Sequence, residues 1–189
     1  EAKGGIAPIW TEYLMARISE AIPGNAIVVE EAVSSAAGLA KVLHANDRHS
    51  YYGLASGGLG FGLAGAIGIS LAHPDRPVVG VIGDGSAMYC IQGLWTAAHL
   101  KLPITYIIVN NRSYRILKDR LVSLRRTDAF VAMDLKDPAI DFLALGASMG
   151  LRTARVTHPA EIDATILRMM AGTGPSLIDV IVEDGFGDA

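Results

Sequence analysis

Two apolar runs separated by a helical stretch constrain the fold of this chain more than any other feature. Residues 78–82 form the first run, which ends in GDG, and residues 104–109 form the second, which ends in NN. The stretch between them, residues 88–100, is predicted to be one helix. A strand, a helix and a second strand in this order form a parallel, right-handed unit. Both polar clusters are therefore expected at the carboxyl ends of neighbouring strands, where open α/β sheets bind ligands.

The polar residues at these strand ends indicate the kind of ligand. Asp84 offers a carboxylate oxygen and Asn111 an amide oxygen, and such hard oxygen donors suit Mg²⁺ or Ca²⁺ better than zinc. Gly85 and Ser86 begin the predicted helix, where unpaired N–H groups and the helix dipole favour a phosphate. The stretch therefore predicts an anchor for Mg²⁺ and a diphosphate, although either cluster alone is more typical of a turn or a loop.

The motif GDGSA at 83–87 followed by NN at 110–111 resembles the thiamin-diphosphate (ThDP) motif of 2-oxo-acid decarboxylases and acetolactate synthases. The likeness is closest to the benzoylformate decarboxylase branch. It extends upstream through GGLGFGLAGAIG and EEAVSSA, and downstream through NNRSYRIL. The resemblance implies that Asp84 and Asn111 bind Mg²⁺ through their side chains and Ser113 through its backbone carbonyl. Gly85 and Ser86 would hold the diphosphate.

The same resemblance assigns further residues to the cofactor. It places Gly83 and Tyr114 at the cofactor site, and it matches Ser34 to a hydroxyl that holds the far end of the diphosphate. It also implies two catalytic roles. The carbonyl of Gly57 would accept a hydrogen bond from the 4′-amino group of the cofactor, and Leu59 would wedge under the bend between its two rings. Alternatively, Ser34 only caps a helix and Leu59 is an ordinary core residue.

A charged segment follows the Asn-Asn pair, at residues 112–126. Such a run is typical of a solvated helix face. The resemblance nevertheless implies that Leu117 and Arg120, one turn apart on this helix, line the substrate pocket. A cationic Arg120 departs from the pattern of decarboxylases that act on aromatic substrates. We therefore expect a substrate with a second polar or anionic group.

The hydrophobic pattern predicts a three-layer α/β/α domain with a mostly parallel, six-stranded sheet. A composition of 51% hydrophobic and 19% charged residues fits a sheet that helices bury on both faces. Residues 1–189 are expected to form one domain, because no linker or repeat divides them. The resemblance implies the strand order 2-1-3-4-6-5. Strands are predicted near 26–29, 51–53, 78–82, 104–109, 151–156 and 177–182. Helices are predicted near 7–22, 34–43, 62–68, 88–100, 112–126, 140–149 and 159–170.

Residues 60–65 pose an alternative, because they match the G-x-G-x-x-G pattern of dinucleotide-binding proteins. That motif requires a buried strand immediately before the glycines, and residues 49–56 are a poor candidate. A nicotinamide-dependent oxidoreductase domain would also leave the Asn-Asn pair unexplained. A further alternative is a non-catalytic domain that retained the fold for assembly or regulation.

The resemblance implies a ThDP-dependent carboxy-lyase that releases CO₂ from a 2-oxo acid, or alternatively an acetolactate synthase-like carboligase. In that family a glutamate on a separate pyrimidine-binding domain activates the cofactor. The whole predicted sheet uses this chain, so we expect that domain elsewhere, on the same polypeptide or on a partner subunit. The chain alone is therefore expected to be catalytically incompetent, and the family pattern implies a homodimer or a tetramer.

Composition argues against several other classes of protein. A net charge of −3 gives no indication of binding to nucleic acid or to an anionic membrane. The sequence has no apolar run long enough for a membrane span. A single cysteine, Cys90, excludes an internal disulfide and is compatible with a cytoplasmic location. Cys90 is predicted to lie in an apolar helix and to belong to the core.

Overall fold

Six parallel strands form the centre of the chain, for which the computed structural model describes residues 7–185. One or two α-helices lie between each pair of successive strands, and a further helix precedes the first strand. The strands are β1 (Ile27–Glu31), β2 (Tyr51–Gly53), β3 (Val78–Gly83), β4 (Ile104–Asn110), β5 (Arg152–Val156) and β6 (Ser176–Ile181). The helices are α1 (Thr11–Ala21), α2 (Ala36–Val42), α3 (Phe61–Ala72), α4 (Asp84–Ala87), α5 (Gly93–His99), α6 (Arg115–Arg125), α7 (Phe142–Ser148) and α8 (Ile162–Met170).

The sheet has the order β2-β1-β3-β4-β6-β5, and every neighbouring pair is parallel. The predicted strand order is thus confirmed. All residues of β1 and β4 are buried, which explains why these strands appear in the sequence as continuous apolar runs rather than alternating ones.

Two hydrophobic cores, one on each face of the sheet, complete the three predicted layers. Helices α1, α2 and α8 pack on one face, and the side chains of Leu14, Leu39 and Ile166 are buried there. Helices α3, α5 and α7 pack on the other face, with Leu63 and Phe142 among the buried residues. Successive strand residues belong to opposite cores, as the pleat of a strand requires.

Strand β1 extends beyond its predicted end to include Glu30 and Glu31, and both side chains are buried. The carboxylate of Glu30 accepts the N–H of Ala32 at 2.5 Å and the hydroxyl of Tyr51 at 3.1 Å. Glu31 accepts the N–H groups of two glycines at the start of α3. Hydrogen bonds replace the lost hydration of both carboxylates. The strand can therefore continue through two acidic residues, although their charge suggested that it ended before them.

The prediction of one helix over residues 88–100 was wrong. The chain forms a single turn, α4, then a series of turns, and begins α5 only at Gly93. Gly93 lies so close to α3 that a Cβ would be 2.9 Å from Leu63. Cys90 is therefore in a turn and half-buried, and its thiol donates to the carbonyl of Gly60 at 2.9 Å. The prediction that Cys90 lies in a helix was wrong, whereas its predicted place in the core is confirmed in part, because it packs at the edge of the core that includes Leu63.

The two ends of the described chain meet beside the sheet. Ile9 forms a bridge with Val182, and the N–H of Glu183 donates to the carbonyl of Ile9 at 3.0 Å. This pairing explains why α1 begins at Thr11 instead of at the predicted residue 7. Within residues 7–185, every helix is too short or too polar to cross a bilayer.

Candidate cofactor and metal site

The ends of β3 and β4 bring the two polar clusters together. Gly83 and Val109 are partners in the register of these strands, so the residues that follow them lie at the same edge of the sheet. Asp84 begins α4, and Asn111 begins the loop that leads to α6. The expected juxtaposition of Asp84 and Asn111 thus follows from the parallel pairing of their strands.

Asp84 is only 4% exposed, and its two carboxylate oxygens have different surroundings. Oδ1 accepts the N–H of Gly85 at 2.8 Å, whereas Oδ2 is buried without a hydrogen-bond partner among the described residues. Desolvation raises the pKa of Asp84 to about 6, and the nearby carboxylate of Asp179 adds to this rise. Backbone N–H groups of residues 85, 112 and 113 oppose it. A buried oxygen of this kind is suited to binding a cation.

The loop after β4 is fixed on both sides. Oδ1 of Asn111 accepts the N–H of Ser113 at 3.0 Å, and Ser113 itself is buried. Residues 133–135 pair with this loop, since the N–H of Tyr114 donates to the carbonyl of Met133 and the N–H of Leu135 to the carbonyl of Arg112. Part of the segment 127–139 therefore braces the loop that carries Asn111 and Ser113.

A glycine-rich segment forms another wall of the site. Gly57 and Gly60 have φ values of +74° and +101°, a region that residues with a Cβ rarely adopt. Leu59 between them is 38% exposed. The peptide of Gly60 is held at both ends, because Glu31 accepts its N–H at 2.5 Å and Cys90 donates to its carbonyl. The segment therefore presents an apolar side chain on a well-fixed backbone.

The turn after β1 contributes the third wall. Ser34 is exposed there, beside Val33, at the start of the turn into α2. Ser35 occupies the N-cap position of α2, but its side chain makes no capping hydrogen bond. The alternative in which Ser34 caps this helix is therefore wrong, because Ser35 holds the N-cap position.

These three walls enclose a cavity of about 210 Å³. Every residue that sequence analysis assigned to cofactor or metal binding lines it: Ser34, Gly57, Leu59, Gly83, Asp84, Gly85, Ser86, Asn111, Ser113 and Tyr114. The lining also includes residues that sequence analysis did not single out as lining a pocket: Ala32, Val33, Ser35, Val109, Arg115 and Ile116.

The two residues predicted for the substrate pocket, Leu117 and Arg120, lie outside this lining and are exposed on α6. Arg115 and Ile116 reach the cavity instead, because α6 begins at Arg115 and its first turn faces the loop. The helix was predicted to begin at residue 112, and its observed start at Arg115 changes which residues face the cavity. The roles of Leu117 and Arg120 stay predictions.

The donors around the cavity fit Mg²⁺ shared with a phosphate. In residues 7–185 there is no cluster of three His, Cys, Asp or Glu side chains that could hold a metal ion alone. One carboxylate, one amide oxygen and a backbone carbonyl from Asp84, Asn111 and Ser113 would leave further coordination positions to water and phosphate, as Mg²⁺ prefers.

Comparison with solved structures defines the class of the fold. The chain superposes on the ThDP-dependent 4-hydroxybenzoylformate decarboxylase of Rhodococcus jostii RHA1 with a TM-score of 0.90 and 37% identity. The match covers 97% of this chain and 34% of that protein. The sheet order and the helices on both faces are thus those of the ThDP-binding α/β fold.

Sequence comparison leads to the family. Residues 32–180 match the family described as thiamine pyrophosphate enzyme, C-terminal TPP binding domain. The chain is 35% identical to benzoylformate decarboxylase of Pseudomonas aeruginosa over 173 residues, which is 92% of this chain and 32% of that enzyme. It is 37% identical over 136 residues to the chloroplastic acetolactate synthase of Arabidopsis thaliana, covering 68% and 20%. This chain belongs to the ThDP-dependent enzymes and corresponds to their C-terminal, diphosphate-binding domain. It spans about a third of the length of the first of these relatives.

Proposed function

We propose that this chain is the diphosphate- and Mg²⁺-binding part of a ThDP-dependent 2-oxo-acid decarboxylase of the benzoylformate decarboxylase type. The observation that carries the proposal is the buried Oδ2 of Asp84, which has no hydrogen-bond partner among the described residues. Asp84 lines the same cavity as Asn111 and Ser113. A cation bound there would satisfy that oxygen and bridge it to a diphosphate.

Each wall of the cavity has a role in this proposal. Asp84, Asn111 and the carbonyl of Ser113 hold Mg²⁺, and the backbone at Gly85 and Ser86 holds the diphosphate. Gly83, Ser34 and Tyr114 complete the diphosphate site. A volume of about 210 Å³ is below the usual range for ligand pockets, roughly 300–1,000 Å³. This size supports a site that encloses only part of the cofactor.

Gly57 and Leu59 act on the other half of the cofactor. The carbonyl of Gly57 would accept a hydrogen bond from the aminopyrimidine, and the exposed side chain of Leu59 would pack against the cofactor and hold its conformation. Thiamin diphosphate, when bound, supplies the nucleophilic carbon and the electron sink for loss of CO₂.

The pyrimidine-binding domain that completes the site is provided by the same polypeptide or by a partner subunit. The relatives support this view, since each is a longer protein of which this chain matches about a third or less. We therefore expect no release of CO₂ from a 2-oxo acid by the purified 189-residue chain. Turnover by that chain would contradict the assignment of roles.

The substrate is a 2-oxo acid, and two relatives named for benzoylformate and 4-hydroxybenzoylformate support an aryl-substituted one. Arg120 favours a second polar or anionic group on that substrate. Once the pyrimidine-binding domain is supplied, Arg120→Ala should reduce turnover of a dicarboxylic 2-oxo acid more than that of a neutral one. An equal reduction on both would count against a role in substrate selection.

The similarity to acetolactate synthase supports an alternative, a carboligase that joins two carbonyl compounds after CO₂ is lost. Product analysis separates the two reactions. A decarboxylase releases one aldehyde for each CO₂, whereas a carboligase releases a hydroxy ketone or a hydroxy-oxo acid.

Cofactor titration tests the proposal directly. The chain should bind ThDP more tightly in Mg²⁺ than in EDTA, and Asp84→Ala should remove that difference. The expected loss exceeds about 100-fold, since several kcal/mol of charge stabilisation disappear with the cation. Asp128→Ala, which removes an exposed carboxylate from the 127–139 segment, is the matched control. Equal affinities for the Asp84→Ala and Asp128→Ala variants would refute the metal assignment.

A further inference from the structure

Asp179 is a fully buried carboxylate that the proposed function does not use. It lies on β6, between β4 and the edge strand β5, and it does not line the cofactor cavity. Its Oδ2 accepts Nε of Arg155 at 2.9 Å and its Oδ1 accepts Nδ2 of Asn110 at 2.9 Å. The ion pair with Arg155 is a weak source of stability, because burial of the Asp179 carboxylate costs desolvation while the side chain of Arg155 is 41% exposed to solvent. Its presence here therefore requires another explanation.

The hydrogen bonds of Asn110 connect Asp179 to the metal-binding loop. Asn110 is the last residue of β4 and is 4% exposed. While its Nδ2 donates to Asp179, its Oδ1 accepts the backbone N–H of Arg112 at 3.1 Å. Asp179 thus determines which way the Asn110 amide points, and the amide in turn fixes the peptide of Arg112.

Arg112 is the residue of the loop that most needs such support. Its φ is +57°, in the left-handed region that residues with a Cβ occupy at a cost of about 1–2 kcal/mol. This turn separates Asn111 from Ser113, and both of these line the cavity with Asp84. A change of conformation at Arg112 would redirect both groups.

We infer that Asp179 is a positioning residue for the Mg²⁺–diphosphate site and acts through Asn110 and the Arg112 peptide. This inference rests on the proposed function. Arg155 holds the carboxylate from the far side, and its guanidinium also contacts Asp141, which caps α7. The carboxylate is therefore fixed before any ligand binds, and it orients the loop from behind.

A second hydrogen bond between the same two strands provides a matched control. The hydroxyls of Thr105 and Ser176 are buried and 3.0 Å apart near the start of β4 and β6, at the end away from the cavity. Thr105→Val removes a buried β4–β6 side-chain contact without touching the loop. Any effect of general weakening of this strand pair should appear in that variant too.

The test measures the dissociation constant for Mg²⁺ at saturating ThDP, together with unfolding by denaturant, in the full chain. Asp179→Asn leaves one carbonyl oxygen for two donors, and Asn110→Ala removes the link while keeping the pair between Asp179 and Arg155. Both should weaken Mg²⁺ binding by roughly 10- to 100-fold, the usual effect of losing a group that orients a metal ligand. Thr105→Val should bind Mg²⁺ like the wild type.

The outcomes separate this inference from the proposed function. If the wild-type chain shows no Mg²⁺-dependent binding of ThDP, the proposed function and this inference both fail. If the wild type binds and Asn110→Ala binds Mg²⁺ as tightly as Thr105→Val, the inference alone is overturned. Should Asp179→Asn not fold, Asn110→Ala still decides the question.

Discussion

Gly85 lies where one added methyl group would disturb the candidate site. A Cβ at this position would be 2.7 Å from the ring of Tyr114, which lines the same cavity. Gly85→Ala should therefore displace that ring, cost about 1–3 kcal/mol of stability and weaken ThDP binding in a calorimetric titration. Gly68 lies in α3, where a Cβ would meet nothing within 4 Å. Gly68→Ala should stabilise the chain by about 0.5–1 kcal/mol and leave binding unchanged. Unchanged ThDP affinity in the Gly85→Ala variant would show that Tyr114 moves freely.

Glu30 makes the stability of the chain depend on pH. Burial raises the pKa of Glu30 above its usual value of 4.5, and the hydrogen bonds from Ala32 and Tyr51 oppose that rise only in part. The folded state therefore holds this proton more tightly than the unfolded state, so the free energy of unfolding falls as pH rises above about 4.5. Glu30→Gln removes this contribution. The variant should gain stability relative to the wild type between pH 4.5 and neutrality, as measured by urea unfolding.

Glu161 provides a control with the opposite sign. The backbone N–H groups of His158 and Thr157 hold the pKa of Glu161 below its usual value. Its ionised form is therefore favoured by folding, and Glu161→Gln should lose stability relative to the wild type as pH rises through the acid range. Parallel behaviour of the Glu30→Gln and Glu161→Gln variants would contradict the assignment of the two shifts.

At the scale of elements, the carboxylate of Glu31 joins β1 to the first turn of α3. It accepts the N–H groups of Gly60 and Gly62, which are otherwise left unpaired at a helix start. Glu31→Gln keeps one acceptor and presents an amide N–H to the other donor, so we expect a loss of about 1–3 kcal/mol in unfolding experiments. Because Leu59 precedes Gly60, ThDP affinity should fall as well. Loss of stability with normal ThDP affinity would mean that the glycine segment keeps its shape without this cap.

The sequence predicted the elements better than their ends. The buried strands β1, β3, β4 and β6 leave apolar runs, so these strands and the Asp84–Asn111 juxtaposition could be predicted from the pattern, whereas the strand order came from the resemblance to the ThDP family. The break between α4 and α5 could not be, because it depends on the packing of Gly93 against Leu63. The link from Asp179 to the loop was also missed, because Asp179 lies within the predicted strand 177–182 but its partners Asn110 and Arg155 are distant in sequence.

At the scale of the whole molecule, two aromatic side chains in the connection between β3 and β4 are exposed. Tyr89 and Trp95 are 62% and 58% exposed, and the ring of Trp95 stacks on His99 at 4.9 Å between centroids. Exposed apolar surface of this kind is usually covered by another protein surface. We expect the isolated chain to self-associate at micromolar concentrations in sedimentation velocity, and Trp95→Glu to reduce that association.

Leu124 tests whether association is specific to that surface. It is 74% exposed on α6, so Leu124→Glu removes a comparable apolar side chain elsewhere. The sedimentation of this variant should match the wild type. Equal effects of Trp95→Glu and Leu124→Glu would instead indicate nonspecific aggregation.

The parallel arrangement of the strands has a practical consequence for handling the protein. The residues proposed to bind the cofactor follow the carboxyl ends of strands or, for the glycine segment, lie at the start of α3. The turn before β3 lies at the opposite edge of the sheet, and its residue Asp75 is exposed. The 6 residues of β3 span about 20 Å at the usual rise of a strand. A fluorophore, a surface tether or a fused peptide attached at Asp75 would therefore lie far from Asp84, and the protein could be labelled there without altering its chemistry.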